Sequence, residues 1–208
     1  MRKITPVVLE GRYVRLEPLT IEHVPALVQA AGADRRAFRF TSTPGTLEGM
    51  RVYVANALAE QGAGTRLPLA TLDRTKDEVV GCTSFLDIQF WKWPASSRHQ
   101  RGEDLPDVVE IGATWLSPAA QRTGINTEAK LLMLGHAFET WRVHRVSLKT
   151  DSRNQQSRDA ILRLGTRFDG ILRAERVAAD GEIRDSAYYS MLDTEWPVAR
   201  ERLRARLR

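Results

Sequence analysis

Residues 110–130 read EIGATWLSPAAQRTGINTEAK, and the fold turns on how they divide. With Val108 and Val109 in front, the stretch 108–116 reads as a strand. Ser117-Pro118 stops it, because proline has no N–H to give to a ladder. Residues 119–126 form a loop around Gly124, and Asn126 or Thr127 opens a helix whose apolar face continues through TEAKLLMLGHAFETW. A loop that runs straight into a helix start offers free N–H groups and the positive end of the helix dipole, which suits an anion. Glycine in such a loop permits close backbone approach, and Arg122 adds a positive charge. One glycine satisfies neither GxxxxGK[ST] nor GxGxxG. On spacing alone, a phosphate site and an ordinary turn or cap glycine both stay open.

Upstream, residues 7–18 (VVLEGRYVRLEP) carry a Gly-Arg turn and a strand. Thr20 caps a helix over 21–31 with Pro25 in its first turns, and Thr46 caps a second over about 47–61 that ends near Gly62 and Gly64. The period then changes. Residues 66–73 and 79–90 read as a hairpin about the turn RTKDE. Residues 91–107 (WKWPASSRHQRGEDLPD) form a long loop, and loops of that length in compact domains are often functional. Downstream come a strand at 144–150, a helix in NQQSRDAILRLG closed by Gly165, two strands at 167–177 and 182–192 about the Asp180-Gly181 turn, and a C-terminal helix near 195–208. This order gives a mixed α/β fold with mostly antiparallel pairing and one right-handed parallel βαβ step over 108–150. The chain reads as a single domain over 1–208 with the last helix as an appended arm.

The chain has 208 residues and is 42% apolar, enough for a core of its own. No apolar run approaches the roughly 20 residues of a membrane span, and no secretory leader is evident, so a cytoplasmic protein is expected. Cys82 cannot pair within the chain and sits in an apolar run, which marks it as a core residue rather than a nucleophile. No group of His, Cys, Asp and Glu has metal-ligand spacing, so no metal is implied. His23, His136 and His144 fall in or beside predicted elements and are assigned to packing. The formal net charge of +5 favours anionic partners. One reading is therefore a nucleic-acid-binding protein with an arginine-rich surface. Against it, Arg200, Arg202, Arg204, Arg206 and Arg208 would spread around a helix rather than form a stripe, and no reader motif is apparent.

The pattern Gln121-x-x-Gly124-x-Asn126 resembles the [RQ]-x-x-G-x-[GA] signature of the GNAT N-acetyltransferase superfamily, with Asn in place of Gly or Ala at the last position. LEGRYVRLEPLTIEHVPAL, EIGATWLSPAAQRTG, LKTDSRNQQSRDAILRLG and YYSMLDTEWP are similar, in the same order, to segments of its RimJ/RimL-like branch. The resemblance spans nearly the whole chain. It implies a central sheet of about seven strands, helices on both faces, and a splay between the fourth and fifth strands, here 108–116 and 144–150. It implies acetyl-CoA as co-substrate, with no metal. It further implies that Leu116 offers backbone hydrogen bonds to pantetheine, and that Gln121, Arg122, Thr123, Gly124, Ile125 and Asn126 wrap the pyrophosphate. Dimers are common in this branch.

The resemblance also places Asn154 against the pantetheine arm; a plain helix cap is the competing role. It places Ser157 to protonate the departing thiolate, since the tyrosine that many members carry seven residues after the asparagine is Ile161 here. An acceptor amine is a cation near neutral pH and must lose a proton before attack, which makes Glu110, flanked by apolar residues, the candidate base. The alternative is a glutamate paired with an arginine on the sheet. In the loop, Trp91, Trp93, Glu103 and Asp104 would suit a cationic acceptor, with His99 as a second candidate base. The expected activity is acetyl transfer to a primary amine, either a protein N-terminus or a small cation, by direct attack. A coenzyme A-binding sensor without catalysis is the third reading.

Overall fold

The computed structural model describes residues 4–32 and 35–207. Eight strands form one sheet: β1 (Leu9–Glu10), β2 (Val14–Pro18), β3 (Arg66–Asp73), β4 (Glu78–Gln89), β5 (Val108–Leu116), β6 (Arg145–Asp151), β7 (Arg167–Val177) and β8 (Ile183–Leu192). Their spatial order is β1-β2-β3-β4-β5-β6-β8-β7. Every pairing is antiparallel except β5 with β6. The count rises from seven to eight because the first strand breaks at Gly11–Tyr13 and folds back on itself, with Leu9 opposite Leu16.

That break is held by one side chain. Glu128 is buried, and its carboxylate accepts the backbone N–H groups of Arg12, Tyr13 and Val14 at 2.8, 2.6 and 2.8 Å. Its carboxyl group occupies the space where a Cβ on Gly11 would stand, which is why the turn carries glycine.

Strand alternation sorts the side chains onto two faces. Leu67, Leu69, Phe85, Val109, Ile111, Val146, Leu148, Ala187, Tyr189 and Met191 form one apolar face. It is covered by α3 (Gly124–Gly135), α4 (Gln155–Leu162) and α5 (Trp196–Ala205). Helix α3 offers Ile125, Ala129 and Met133 at helical spacing and runs on into a π-helical turn, His136–Thr140. The C-terminal helix is no appended arm. Its Trp196, Ala199 and Leu203 are buried in the same core, and the Trp196 ring stacks on Phe138 at 5.7 Å. Arg208 lies outside the described residues. On the other face, α1 (Val24–Ala31) and α2 (Leu47–Gly62) bury Val24, Leu27, Met50 and Val54 against Ala70, Cys82 and Trp115. Thr46 caps α2 by accepting the Gly49 N–H at 3.1 Å. These two helices cover only the β3–β4 half of that face.

Strands β5 and β6 pair only at Val108–Arg145, Val109–Val146 and Glu110–Ser147. Beyond Glu110 they part. Strand β5 stays on β4 through Leu116 opposite Gly81, while β6 stays on β8 through Asp151 opposite Ser186. A bulge lies at the parting: the register slips between Cys82 and Ser84, and Ala113 takes φ 47°. An extra residue on one strand increases its local twist and turns it from its neighbour.

Because three backbone donors depend on one carboxylate, Glu128→Ala is expected to lower stability by about 2–4 kcal/mol. That is a fall in Tm of roughly 5–10 °C for a chain of this size. Glu128→Gln, which keeps one good acceptor, should lose less. Thermal unfolding by circular dichroism checks both.

Candidate active site

The parted strands leave a cleft inside the sheet. Its walls are the free edges of β5 and β6, and its opening is visible in the exposures. Ala113 is exposed and Gly112 and Thr114 are half-buried, although β5 is a central strand. The Trp115 carbonyl faces β4, since a Cβ on Gly81 would lie 2.1 Å from it; Gly81 has φ +156°. Across a trans peptide the next N–H points the other way, so the Leu116 N–H aims into the cleft. The Ser117 N–H donates to Val80 on β4, so the Leu116 carbonyl also faces the cleft side, where the Gln121 side-chain amide donates to it at 3.1 Å.

Below Leu116 lies the junction of the loop with α3. The helix opens two or three residues earlier than its sequence suggests: Thr123 is the cap, accepting the Ile125 N–H at 3.3 Å, and Gly124 is the first helical residue. The reason is local, because a threonine hydroxyl satisfies a first-turn amide where neither Asn126 nor Thr127 is placed to do so. Asn126 therefore sits in the first turn rather than in the loop. Arg122 takes φ 59°, bending the chain around the helix start. A Cβ on Gly124 would meet only Tyr13 and Leu207, at 3.4–3.7 Å, which is ordinary contact. The fold itself does not demand glycine there. Gln121 to Asn126 thus bring a bent loop, an arginine and the amides of a helix start to one end of the cleft, a fit for a pyrophosphate.

Glu110 stands at the apex of the splay. It is 4% exposed, and its carboxylate lies over Gly112, 2.8 Å from where a Cβ would be. It pairs with Lys149 at 3.2 Å, not with an arginine; Lys149 also pairs with Glu175 at 3.2 Å. Tyr188 donates its hydroxyl to Glu175 at 3.1 Å. Burial raises the Glu110 pKa above the ordinary carboxylate value, and the Lys149 cation offsets this only partly. Burial also acts on Glu175, but hydrogen bonds from Arg176, Ser186 and Lys149 prevail and pull its pKa down to about 2. Of the two carboxylates that share Lys149, Glu110 is the one poised to take a proton. Lys149, Glu175 and Tyr188 carry no motif; the β6–β8 register sets Lys149 opposite Tyr188, and the irregular β7–β8 pairing adds Glu175.

Asn154 caps α4, its side-chain oxygen accepting the Ser157 N–H at 3.1 Å. Both residues are half-buried at the end of β6, on the splayed side. The loop 91–107 lies at the other, paired end. Trp91 and Trp93 gather around His144, with ring centroids 5.8 and 5.4 Å from it. Asp107 accepts the Trp91 backbone N–H and the Trp93 indole N–H, each at 2.6 Å. Glu103 and Asp104 are exposed and join none of this. His99 tilts onto Trp93 in the same cluster. The loop's aromatics gather at the start of β5 and β6, and Trp91 keeps 42% of its surface exposed.

At the splayed end, Arg35, Phe38, Arg39, Thr41 and Thr43 face Ala179 and Asp180 across a cleft of about 800 Å³. Arg153 ties its walls together, pairing with Asp180 at 3.0 Å and lying over the Phe40 ring. Among the described residues no group of three or more His, Cys, Asp and Glu could hold a metal ion, and no helix is long and apolar enough to cross a membrane.

Residues 14–167 match the acetyltransferase (GNAT) domain family. A solved structure from T. thermophilus is 36% identical, with 99% of each chain covered and a TM-score of 0.79. A GCN5-related N-acetyltransferase from Brucella melitensis is 28% identical over 99% of this chain and 87% of its own, with a TM-score of 0.82. RimJ of Mycobacterium smegmatis, solved in complex with CoA-disulfide, shares the fold at 22% identity over 98% and 94% of the two chains, with a TM-score of 0.74. A comparison with curated protein sequences found no match. The family match over most of the chain agrees with the splayed sheet, and the chain belongs to the GNAT acetyltransferase family.

Proposed function

We propose that this protein transfers acetyl from acetyl-CoA to a primary amine within a ternary complex. The observation that carries the reading is the cleft between β5 and β6, with the amides of the α3 start at one end and a buried carboxylate at its apex. Acetyl-CoA supplies the activated acetyl group. Gln121 to Asn126 would hold its pyrophosphate, the Leu116 backbone would pair with its pantetheine arm as a strand would, and the Asn154 amide would flank that arm. Donors aimed from β5 into the cleft would polarise the thioester carbonyl.

Glu110 takes the proton from the acceptor ammonium, directly or through a water, and the amine attacks the thioester. Ser157 is the side chain proposed to return a proton to sulfur. No covalent enzyme intermediate is needed. Cys82 is buried, and desolvation pushes its pKa up to about 11, which leaves it inert as a nucleophile. The acceptor would enter by the cleft lined by Arg35 to Thr43. Arginines outnumber the single acid, Asp180, in that lining, and Glu103 and Asp104 lie elsewhere, so the entrance does not select a cationic acceptor. A protein N-terminus and a small amine both fit the chemistry. The arginine-surface alternative loses ground because Arg200 and Arg204 are engaged with Glu139 and Glu201.

Thermal unfolding with and without acetyl-CoA tests the cofactor site. At about 100 times its Kd, a ligand adds roughly 2.7 kcal/mol, which is a rise of about 5–10 °C. Gly124→Glu should fold normally, since an acid in the first helical turn is favourable. It should abolish the rise, since its charge meets the pyrophosphate. No rise in the wild type at millimolar acetyl-CoA would sink the reading.

Glu110 gives a signed pH dependence. A base works deprotonated, so kcat/KM should fall as pH drops through a pKa raised above the ordinary carboxylate range. Glu110→Gln should lower kcat by about 10²–10⁴-fold and remove that acidic limb. Retention of the limb in the variant would make Glu110 a structural partner of Lys149 only.

A further inference from the structure

Strand β8 leaves the hairpin tip after Gly181 and runs toward the level of Glu110. Its residues Ala187, Tyr189 and Met191 face the apolar core. By strand alternation Arg184, Ser186 and Tyr188 stand on the opposite face, which they share with Glu110, Lys149 and Glu175. Each acid of this row has a cation in direct contact. Glu110 and Glu175 share Lys149, Glu175 also takes Arg176, and Arg153 holds both Asp151 and Asp180.

Arg184 is the cation left over. It is half-buried, and among the described residues it forms no ion pair. Its Nε donates to the Ser186 hydroxyl at 2.8 Å, and the two terminal nitrogens of its fork have no partner among those residues. A guanidinium presents its N–H groups in a planar fork that matches a carboxylate with two parallel bonds. Burial works against the Arg184 charge and lowers its pKa. Arg176 adds to this, and Glu175, Asp151 and Glu110 restore only part. A carboxylate arriving from solvent would supply the missing partner.

The position of the fork is set by Ser186, which accepts from Arg184 and passes its own proton to Glu175 at 2.8 Å. Tyr188, two residues further along, stands opposite Lys149, the partner of Glu110. At the rise of a strand the fork lies roughly 7–13 Å from the Glu110 carboxylate. In the other direction β8 leads to the hairpin tip, where Ala179 and Asp180 form one wall of the entrance cleft. Asp180 is already engaged by Arg153, while across the cleft Arg35 and Arg39 rest on the rings of Phe38 and Phe40 at 4.8 and 5.3 Å. Arg184 therefore stands between the entrance and Glu110.

We propose that Arg184 receives a carboxylate of the acceptor, so that the substrate class is an amine with a carboxylate within about two residues' length of its nitrogen. This deepens the acetyl-transfer reading above and rests on it. The amine end would reach Glu110 while the fork holds the acid end. Two sources offer this chemistry: the α-carboxylate of a free amino acid, and an acidic side chain beside a peptide N-terminus.

Thiol release from acetyl-CoA with two matched pairs of acceptors tests the proposal. One pair is alanine and alaninamide; the other is Ala-Asp-Phe-amide and Ala-Asn-Phe-amide. Values of kcat/KM are compared per free amine, because an amide lowers the basicity of the neighbouring nitrogen. The carboxylate member should lead by about tenfold or more in one pair, chiefly through KM. A lead in the first pair identifies a free amino acid, and one in the second an acidic peptide N-terminus. Arg184→Gln should shrink the lead toward unity, and Arg184→Lys, which keeps the charge without the fork, should cut it by about threefold or more. No lead in either pair overturns the proposal, as does a lead that Arg184→Gln leaves whole. Absence of thiol release with all four acceptors, while acetyl-CoA still raises the Tm of the wild type, overturns it and leaves the acetyl-CoA reading standing. No such rise removes both. Should Arg184→Gln not fold, Arg184→Lys decides: an undiminished lead overturns the proposal.

Discussion

The register break at Ala113–Thr114 is the constraint on which the rest depends. A regular ladder would carry β5 and β6 side by side to their ends and fill the middle of the sheet with backbone hydrogen bonds. One extra residue in β5, opposite Thr83, twists the strand toward β4. The parallel pairing stops at Glu110. The backbone donors beyond that point then need partners, because unpaired polar groups in an interior are costly. An extended ligand arm running along β5 can supply them. The sheet is therefore built with a missing strand rather than with a pocket hung on its surface.

The two faces of the sheet are divided between stability and chemistry. One face buries the larger apolar cluster under α3, α4 and α5. On the other, α1 and α2 cover the β3–β4 half and leave the rest to Glu110, Lys149, Glu175 and Tyr188. These groups satisfy one another instead of an apolar cover. Glu110 and the buried Lys130 of α3 approach the parted strands from opposite faces. One is a carboxylate whose charge is disfavoured by burial, the other an ammonium disfavoured in the same way. Polar groups placed so are poor for stability, and their cost is borne where the strands part. The same α3 also binds the N-terminal hairpin through Glu128, so the helix that starts beside the cleft is fixed at its first turns.

Much of this was legible in the chain. Strands 66–73, 108–116 and 167–177 coincide with their sequence-based bounds, because each is a run of strand residues stopped by a turn or a proline. The helix caps at Thr46 and Asn154 follow from local chemistry in the same way. The start of α3 did not, because Thr123, Asn126 and Thr127 are all good caps and only the geometry of the chain leaving Ser117 selects Thr123. The grouping of the tryptophans of 91–107 around His144 was not legible, since an aromatic pair beside acids reads the same whether it faces a ligand or packs on a histidine. The burial of Lys130 did leave a signal, a lone lysine on the apolar face of TEAKLLML.

Local rules act within a few residues, so the sequence by itself determined the order of elements, the loop that opens α3 and the family to which they belong. The joining of Glu110 to Lys149 and Glu175, the placing of Arg184 on the same face, and the distance of Glu103 and Asp104 from the cleft depend on which strands pair and in what register. Register is set by the packing of whole faces, and a single bulge shifts it. Only the tertiary structure could decide those contacts.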